Sequence, residues 1–391
     1  MNQGKYVFAQ LMSLIKHKEF TKYVDKYAGN YRVRNFTCWH QFLCMSFGQL
    51  TNRASLRDTV VCLQAHEKKL YHLGLTNGVK KSTLADANEK RDWRIYADFA
   101  QVLIKQARQI CQKDELLNIE LDNVIYALDS TTIELCLEVF WWAKFRKHKA
   151  AVKLHTLLDV KCEIPCFIHI SEGSMHDVNV LDIIEFESEA FYVMDRGYVD
   201  WTRLYQIHQA GAYFVIRAKD NLAFTRVYSR KVDKTTTGLK CDQTIRLTGY
   251  YASKNYPEYL RRVKYFDQEH QQRYVYLTNH FEAPAMQIVI LYVNRWKVEI
   301  FFKWVKQHLR IKRFWGESPN AVKTQIWIAV CTFVLVAIWK YKFNFQHSLS
   351  EILQIISVSA FDKTPVNQLF MKINTRNQTP PNHNQLEIFD L

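Results

Sequence analysis

Residues 288–318 read IVILYVNRWKVEIFFKWVKQHLRIKRFWGES. At about 100° per residue, a helix through this stretch puts Tyr292, Arg295, Glu299, Lys303, Lys306 and Arg310 on one stripe less than a quarter-turn wide. Val, Ile, Leu, Phe and Trp fill most of the remaining circumference, with Lys297 and His308 the main exceptions. A helix that is apolar almost all round is buried, so the polar stripe is expected to face an interior cleft. The plainer reading is two intrahelical salt bridges, since Glu299 lies four residues from both Arg295 and Lys303. Such pairs contribute only about 0.2–0.5 kcal/mol each and usually decorate solvated faces, whereas these would be the only polar strip on a buried helix. One carboxylate among several cations suits a metal ligand lying beside phosphates.

The rest of the chain is consistent with a polyanionic partner. Its 391 residues allow two or three domains, and 48% hydrophobic and 14% aromatic content supports a sizeable core. The formal net charge of +15 favours nucleic acid over a membrane surface. Residues 1–115 are net basic, 116–220 net acidic, and 221–318 net basic again, as if a carboxylate site were flanked by DNA-gripping neighbours. Nine cysteines without a CxxC pair read as reduced thiols and not as a zinc site or disulfide framework. The N-terminus has no signal-peptide pattern. The longest apolar run, Ile326–Trp339, is shorter than the roughly 20 residues a membrane span requires. It reads as a buried helix packing beneath the core, in a protein with no membrane partner and a cytoplasmic location.

Along the chain, residues 1–115 have helical spacing, with Ser55 and Ser82 as candidate helix caps and one helix running from Ser82 towards Cys111. From 116 the texture becomes strand-like. NVIYALDS ends in Asp129, AVKLHTLLD and IPCFIHIS follow, and AFYVMDRGY is a buried strand ending in Asp195. Helix DWTRLYQIHQAG and strand AYFVIRAK complete an α/β core with a mixed sheet. Ligands gather at the carboxyl ends of strands in such sheets, where Asp129 and Asp195 stand. Either aspartate alone could merely cap a turn; with Glu299 they make three carboxylates. Residues 220–287 alternate in β fashion and are expected to form a β-rich insertion. The division is therefore a helical domain over 1–115, a core over 116–219, the insertion over 220–287, the glutamate helix and its packing helix over 288–345, and a C-terminal segment with a disordered tail over 346–391. Three carboxylates suffice to hold Mg²⁺, which takes oxygen ligands and keeps several waters. Arg295, Lys303 and Lys306 would neutralise phosphates.

At this point the residues resemble a known family. Tyr292-x2-Arg295-x3-Glu299-x6-Lys306 is similar, in every spacing, to the signature of bacterial insertion-sequence transposases of the DDE class, the branch called family four. Asp129 in ALDSTT and Asp195 in DRGY stand where that family has its first two acidic residues. The resemblance covers roughly residues 120–340. It implies a ribonuclease H-like core and catalytic, metal-binding Asp129, Asp195 and Glu299. It also implies Mg²⁺-dependent cleavage at the element's terminal inverted repeats, with Mn²⁺ a possible substitute, and joining of the freed ends to target DNA. Tyr292, Arg295 and Lys306 would contact phosphates near the transferred end, with Lys303 and Arg310 alongside. Trp296 follows Arg295 as in relatives that stack a flipped base. No tryptophan lies between Trp201 and Trp296, so the second stacking residue of those relatives has no counterpart in the insertion. A homodimer on double-stranded DNA, close to the nucleoid, is the implied assembly. The rival reading is a transposase-derived DNA-binding protein that no longer cuts.

Overall fold

The computed structural model describes residues 4–75, 78–111, 121–136, 138–146, 149–234, 237–308 and 314–370. They form two units, Met1–Ile110 with His308–Leu391, and Cys111–Gln307.

The first unit opens with helices α1 (Val7–Met12), α2 (His17–Lys26), α3 (Cys38–Leu50), α4 (Leu56–Ala65), α5 (Lys81–Lys90) and α6 (Arg94–Cys111). Ser55 caps α4 as its sequence position predicts, accepting from the Asp58 N–H. The single helix expected from Ser82 is instead two, α5 and α6, broken at an extended Arg91. The buried Arg91 guanidinium donates to the carbonyls of Thr37 and Phe36 and to Gln41 Oε1. Asn320 adds a bond to the Arg91 carbonyl. These partners lie far away in sequence, so helical periodicity gives no sign of the break.

The second unit is built on one ten-stranded sheet. Its strands are β1 (Ile125–Leu135), β2 (Lys144–Arg146), β3 (Lys149–Asp159), β4 (Ile164–Glu172), β5 (Phe191–Met194), β6 (Tyr213–Arg217), β7 (Phe224–Arg230), β8 (Leu239–Leu247), β9 (Leu260–Asp267) and β10 (Gln272–Thr278). The order is β2-β3-β1-β5-β6-β10-β9-β8-β7, with β4 also paired to β3. β1, β3 and β4 are antiparallel, whereas β1, β5 and β6 run parallel. Helix α7 (Trp201–Gln209) connects β5 to β6 and stops at Gly211, whose φ of +71° suits a residue without Cβ. The helix α8 (Tyr250–Asn255) interrupts what reads as continuous strand after Leu247. The stretch 220–287, expected as a β-rich insertion, carries β7 to β10 and α8. β10 pairs antiparallel with β6, and β7 to β10 extend the same sheet.

Alternation along the strands sends Tyr126, Leu128, Tyr192, Met194, Phe214 and Ile216 to one face, in a cluster with Leu204 and Ile207 of α7. Helix α9 (Ala285–Val293) packs against β5, β6, β8 and β9 and contributes nothing to that cluster, so it covers the other face. It is followed by α10 (Trp296–His308). Cys111 and Cys162 are joined by a disulfide in this unit, which corrects the expectation of nine free thiols. The bond depends on a Cα separation of 5.8 Å created by folding across 51 residues.

Helices α11 (Pro319–Phe343) and α12 (Leu349–Ser359) return to the first unit. α11 was expected to pack beneath the α/β core, but it packs against α1, α3, α5 and α12. A helix apolar all round needs apolar neighbours on every side, and a bundle supplies them where one sheet face cannot. α11 is long and apolar enough to cross a membrane, yet its most apolar window is 94% buried within the protein. Arg310 and the tail after Phe370 lie outside the described residues.

Candidate active site

β1 and β5 pair from Ile125↔Phe191 to Leu128↔Met194. The next residues are Asp129 and Asp195, so the two aspartates stand side by side on neighbouring strands, whose spacing is about 4.8 Å. β5 ends there, and Asp195 starts a tight turn over Arg196–Tyr198. β1 does not end. It continues to Leu135, paired with β3 alone, which corrects the reading of Asp129 as a strand terminus. Asp129 marks the end of the parallel pairing.

The helix expected to run unbroken through residue 310 is interrupted at Asn294–Arg295. Asn294 donates its side-chain amide to the Ile290 carbonyl at 2.9 Å. The next backbone bonds, Arg295 to Tyr292, Lys297 to Asn294 and Val298 to Arg295, have three-residue spacing. Such tightening overwinds the chain, so the ideal stripe does not continue across the break.

The five described stripe residues divide further on, within α10 between Glu299 and Lys303. Tyr292 donates its hydroxyl to Asp195 Oδ1 at 3.1 Å. Arg295 spans two acids, with Nη1 2.9 Å from Asp129 Oδ2 and Nη2 2.6 Å from Glu299 Oε1. Lys303 and Lys306 are exposed on α10, and Trp296 is 62% exposed. The expected trio of Asp129, Asp195 and Glu299 is therefore connected through Tyr292 and Arg295, two residues expected on DNA.

Burial pushes the Asp129 carboxyl up to about 6; Arg295 opposes this, while Glu299 and Asp195 add to it. All three acids thus act within one electrostatic field. Burial also pushes the Tyr292 phenol up to about 12, keeping it a donor at neutral pH. Burial works against the Arg295 cation, but Asp129, Tyr292 and Glu299 more than compensate and hold its proton above the usual range.

These donors are all carboxylate oxygens, the chemistry that a hard divalent cation takes. Among the described residues, no three His, Cys, Asp or Glu side chains stand together as ion ligands. Arg295 supplies the positive charge between Asp129 and Glu299 instead. The donor set fits the ion in kind, with the guanidinium as its present counter-charge.

The sequence reading missed the residues behind Asp129. Ser130 donates its N–H to Asp129 Oδ1 at 2.8 Å and its hydroxyl to Asp177 Oδ1 at 2.6 Å. Lys153 lies 3.0 Å from the same Asp177 oxygen. Strand alternation places Ser130 and Lys153 on one face, but no sequence pattern brings Asp177 to them.

Comparison with known proteins shows the family of the chain. Residues 120–335 match the family described as Transposase DDE domain, and the chain belongs to that family. Residues 3–76 match a domain of unknown function, DUF4372. The chain is 32% identical over 261 residues to a protein of Sinorhizobium fredii named as transposase y4zB, a match covering 65% of this chain and 70% of that one. It is 29% identical over 232 residues to a Geobacillus stearothermophilus protein named as the transposase for insertion sequence element IS5377, covering 59% and 60%. A solved structure of the piggyBac transposase synaptic complex with hairpin DNA is more remote, with 12% identity, a TM-score of 0.42, and coverage of 97% and 84%. The resemblance to insertion-sequence DDE transposases is borne out.

Proposed function

We propose that this transposase binds the terminal inverted repeats of its element, cuts the DNA there and joins the freed ends to target DNA. In this reading Asp129, Asp195 and Glu299 are the catalytic acids, and β1, β3, β4, β5 and β6 form a ribonuclease H-like core. One observation carries it: Asp129 and Asp195 are consecutive to the last paired residues of two parallel strands, with Glu299 tied to Asp129 through Arg295.

Asp129, Asp195 and Glu299 would hold divalent magnesium, with manganese able to replace it. Bound there, the ion supplies Lewis-acid activation of the attacking oxygen and stabilisation of the leaving one. The protein's own groups orient the DNA. Arg295 exchanges a carboxylate partner for a phosphate, to which its planar fork donates in bidentate fashion. Tyr292 holds Asp195 in place. Lys303 and Lys306 reach flanking phosphates from the exposed side of α10, and Arg310 is assigned the same role. Trp296 offers a ring for an unpaired base. The helical region over 1–115 grips the repeat, and a homodimer on DNA presents two ends for paired cutting. This DNA-bound work places the protein in the cytoplasm, at the nucleoid.

The test is incubation with DNA carrying the element's ends, with Mg²⁺ or with chelator. Nicking and strand-transfer products are expected with Mg²⁺ only. Asp129→Ala, Asp195→Ala and Glu299→Ala should each abolish them while leaving end binding intact. Binding without nicking by the unmodified protein would instead favour the DNA-binding rival.

A further inference from the structure

Asp129 stands on a part of β1 that has lost a neighbour. β5 ends at Met194, so from Asp129 to Leu135 the strand is paired only with β3. A strand supported on one side needs another restraint if a side chain on it is to hold one orientation. The restraint is visible on the opposite face. Successive side chains alternate, so Ser130 points away from Asp129 and lies beside His155, its register partner on β3. The Ser130 hydroxyl donates to Asp177 Oδ1 at 2.6 Å. Asp177 starts the tight helical turn Asp177–Asp182. Lys153 lies 3.0 Å from the same oxygen and also donates to the Met175 carbonyl at 2.7 Å, anchoring the start of that segment. The buried His155 keeps Nδ1 4.0 Å from Asp177 and its Nε2 2.9 Å from Ser171 Oγ.

We infer that Asp177 is a positioning residue for Asp129, acting through Ser130. The hydroxyl of Ser130 is fixed by Asp177, and its N–H holds Asp129 Oδ1 at 2.8 Å, leaving Oδ2 to turn inward. One residue therefore couples an acid on one face of the sheet to an anchor on the other. Lys153 neutralises Asp177, so the anchor adds no free negative charge beside the three acids.

This inference rests on the proposed cleavage reaction, and the experiment separates the two. Single-turnover cleavage of end-containing DNA is measured with full-length protein and its Ser130→Ala, Asp177→Ala, doubly substituted and Ser130→Thr forms. Each alanine variant should slow cleavage about tenfold, the usual scale for losing a group that orients a ligating side chain, with end affinity unchanged. The double variant should be no slower than either single one, because both remove the same link. Ser130→Thr, which keeps the hydroxyl, should restore the rate. Multiplying effects, full activity in the single variants, or loss of DNA affinity and thermal midpoint without rescue by threonine would each overturn the inference. If the unmodified protein cuts no end DNA, the cleavage reading fails, and a crystal structure of Ser130→Ala still decides the positioning claim. A rotated or multiply placed Asp129 carboxylate supports it, and an unchanged one overturns it.

Discussion

Arg295→Gln is the perturbation that asks most of this site. The guanidinium is 11% exposed and pairs with Asp129 and Glu299, whose side chains are 22% and 33% exposed. Removing one partner of a fully buried pair costs about 3–5 kcal/mol. Water reaches both carboxylates, and the substitution also relieves desolvation of the arginine, so a loss of about 2–3 kcal/mol is the better scale. For a unit of roughly 200 residues this corresponds to a melting shift of about 5–10 °C. The assay is calorimetry on DNA-free protein in chelator and in Mg²⁺. In chelator the variant should melt below the parent. The liberated carboxylates then lack a counter-charge, so Mg²⁺ should raise the variant's melting temperature more than the parent's. A cation at tenfold excess over its Kd stabilises by about 1.4 kcal/mol. Arg295→Lys, with a point charge instead of a fork, should recover only part of the loss. A variant melting within about a degree of the parent, with the same response to Mg²⁺, would show that Arg295 does not carry the charge balance of these acids.

Asp129→Asn should alter the pH dependence of stability. The folded carboxyl titrates near 6 against an ordinary 3.8, so the stability linked to its proton is present below pH 4 and lost as pH rises through 6. That loss is about 3 kcal/mol. The asparagine variant should therefore gain on the parent between pH 4 and 7 in urea denaturation, and parallel curves would refute the assignment. Lys303→Ala and Lys306→Ala, on exposed positions, should leave the melting temperature unchanged and reduce the salt slope of DNA binding by about one unit per lost contact. An unchanged slope would place both side chains off the DNA. Thiol titration of denatured, unreduced protein should count seven free cysteines, rising to nine after reduction. Nine before reduction would remove the Cys111–Cys162 bond.

The strands around the candidate site were legible because burial on both faces of a parallel strand leaves continuous apolar runs, as in VIYAL and FYVM. Asp195 was legible as the residue after a strand that ends, whereas Asp129 follows its apolar run but stands inside β1, which continues to Leu135. What the sequence did not reveal depends on tertiary partners. Arg91 breaks a helix by reaching carbonyls of a distant loop. Asn294 donates to the Ile290 carbonyl where a helix that reads as continuous breaks into α9 and α10. α11 is apolar enough for either a sheet or a bundle, and only the choice of neighbours decides. The Ser130–Asp177 link joins residues 47 positions apart with no repeating pattern between them.

The joining of β10 to β6 has an evolutionary corollary. A module hung on two hinges can be deleted cleanly, but here removing 220–284 would strip a partner from β6 and uncover a row of amide and carbonyl groups beside the candidate site. Length variation should instead be tolerated at the far rim, where β7 is the outermost strand, and at the hairpin tip over 268–271. This architecture can be trimmed from its edge inward, never cut out of its middle.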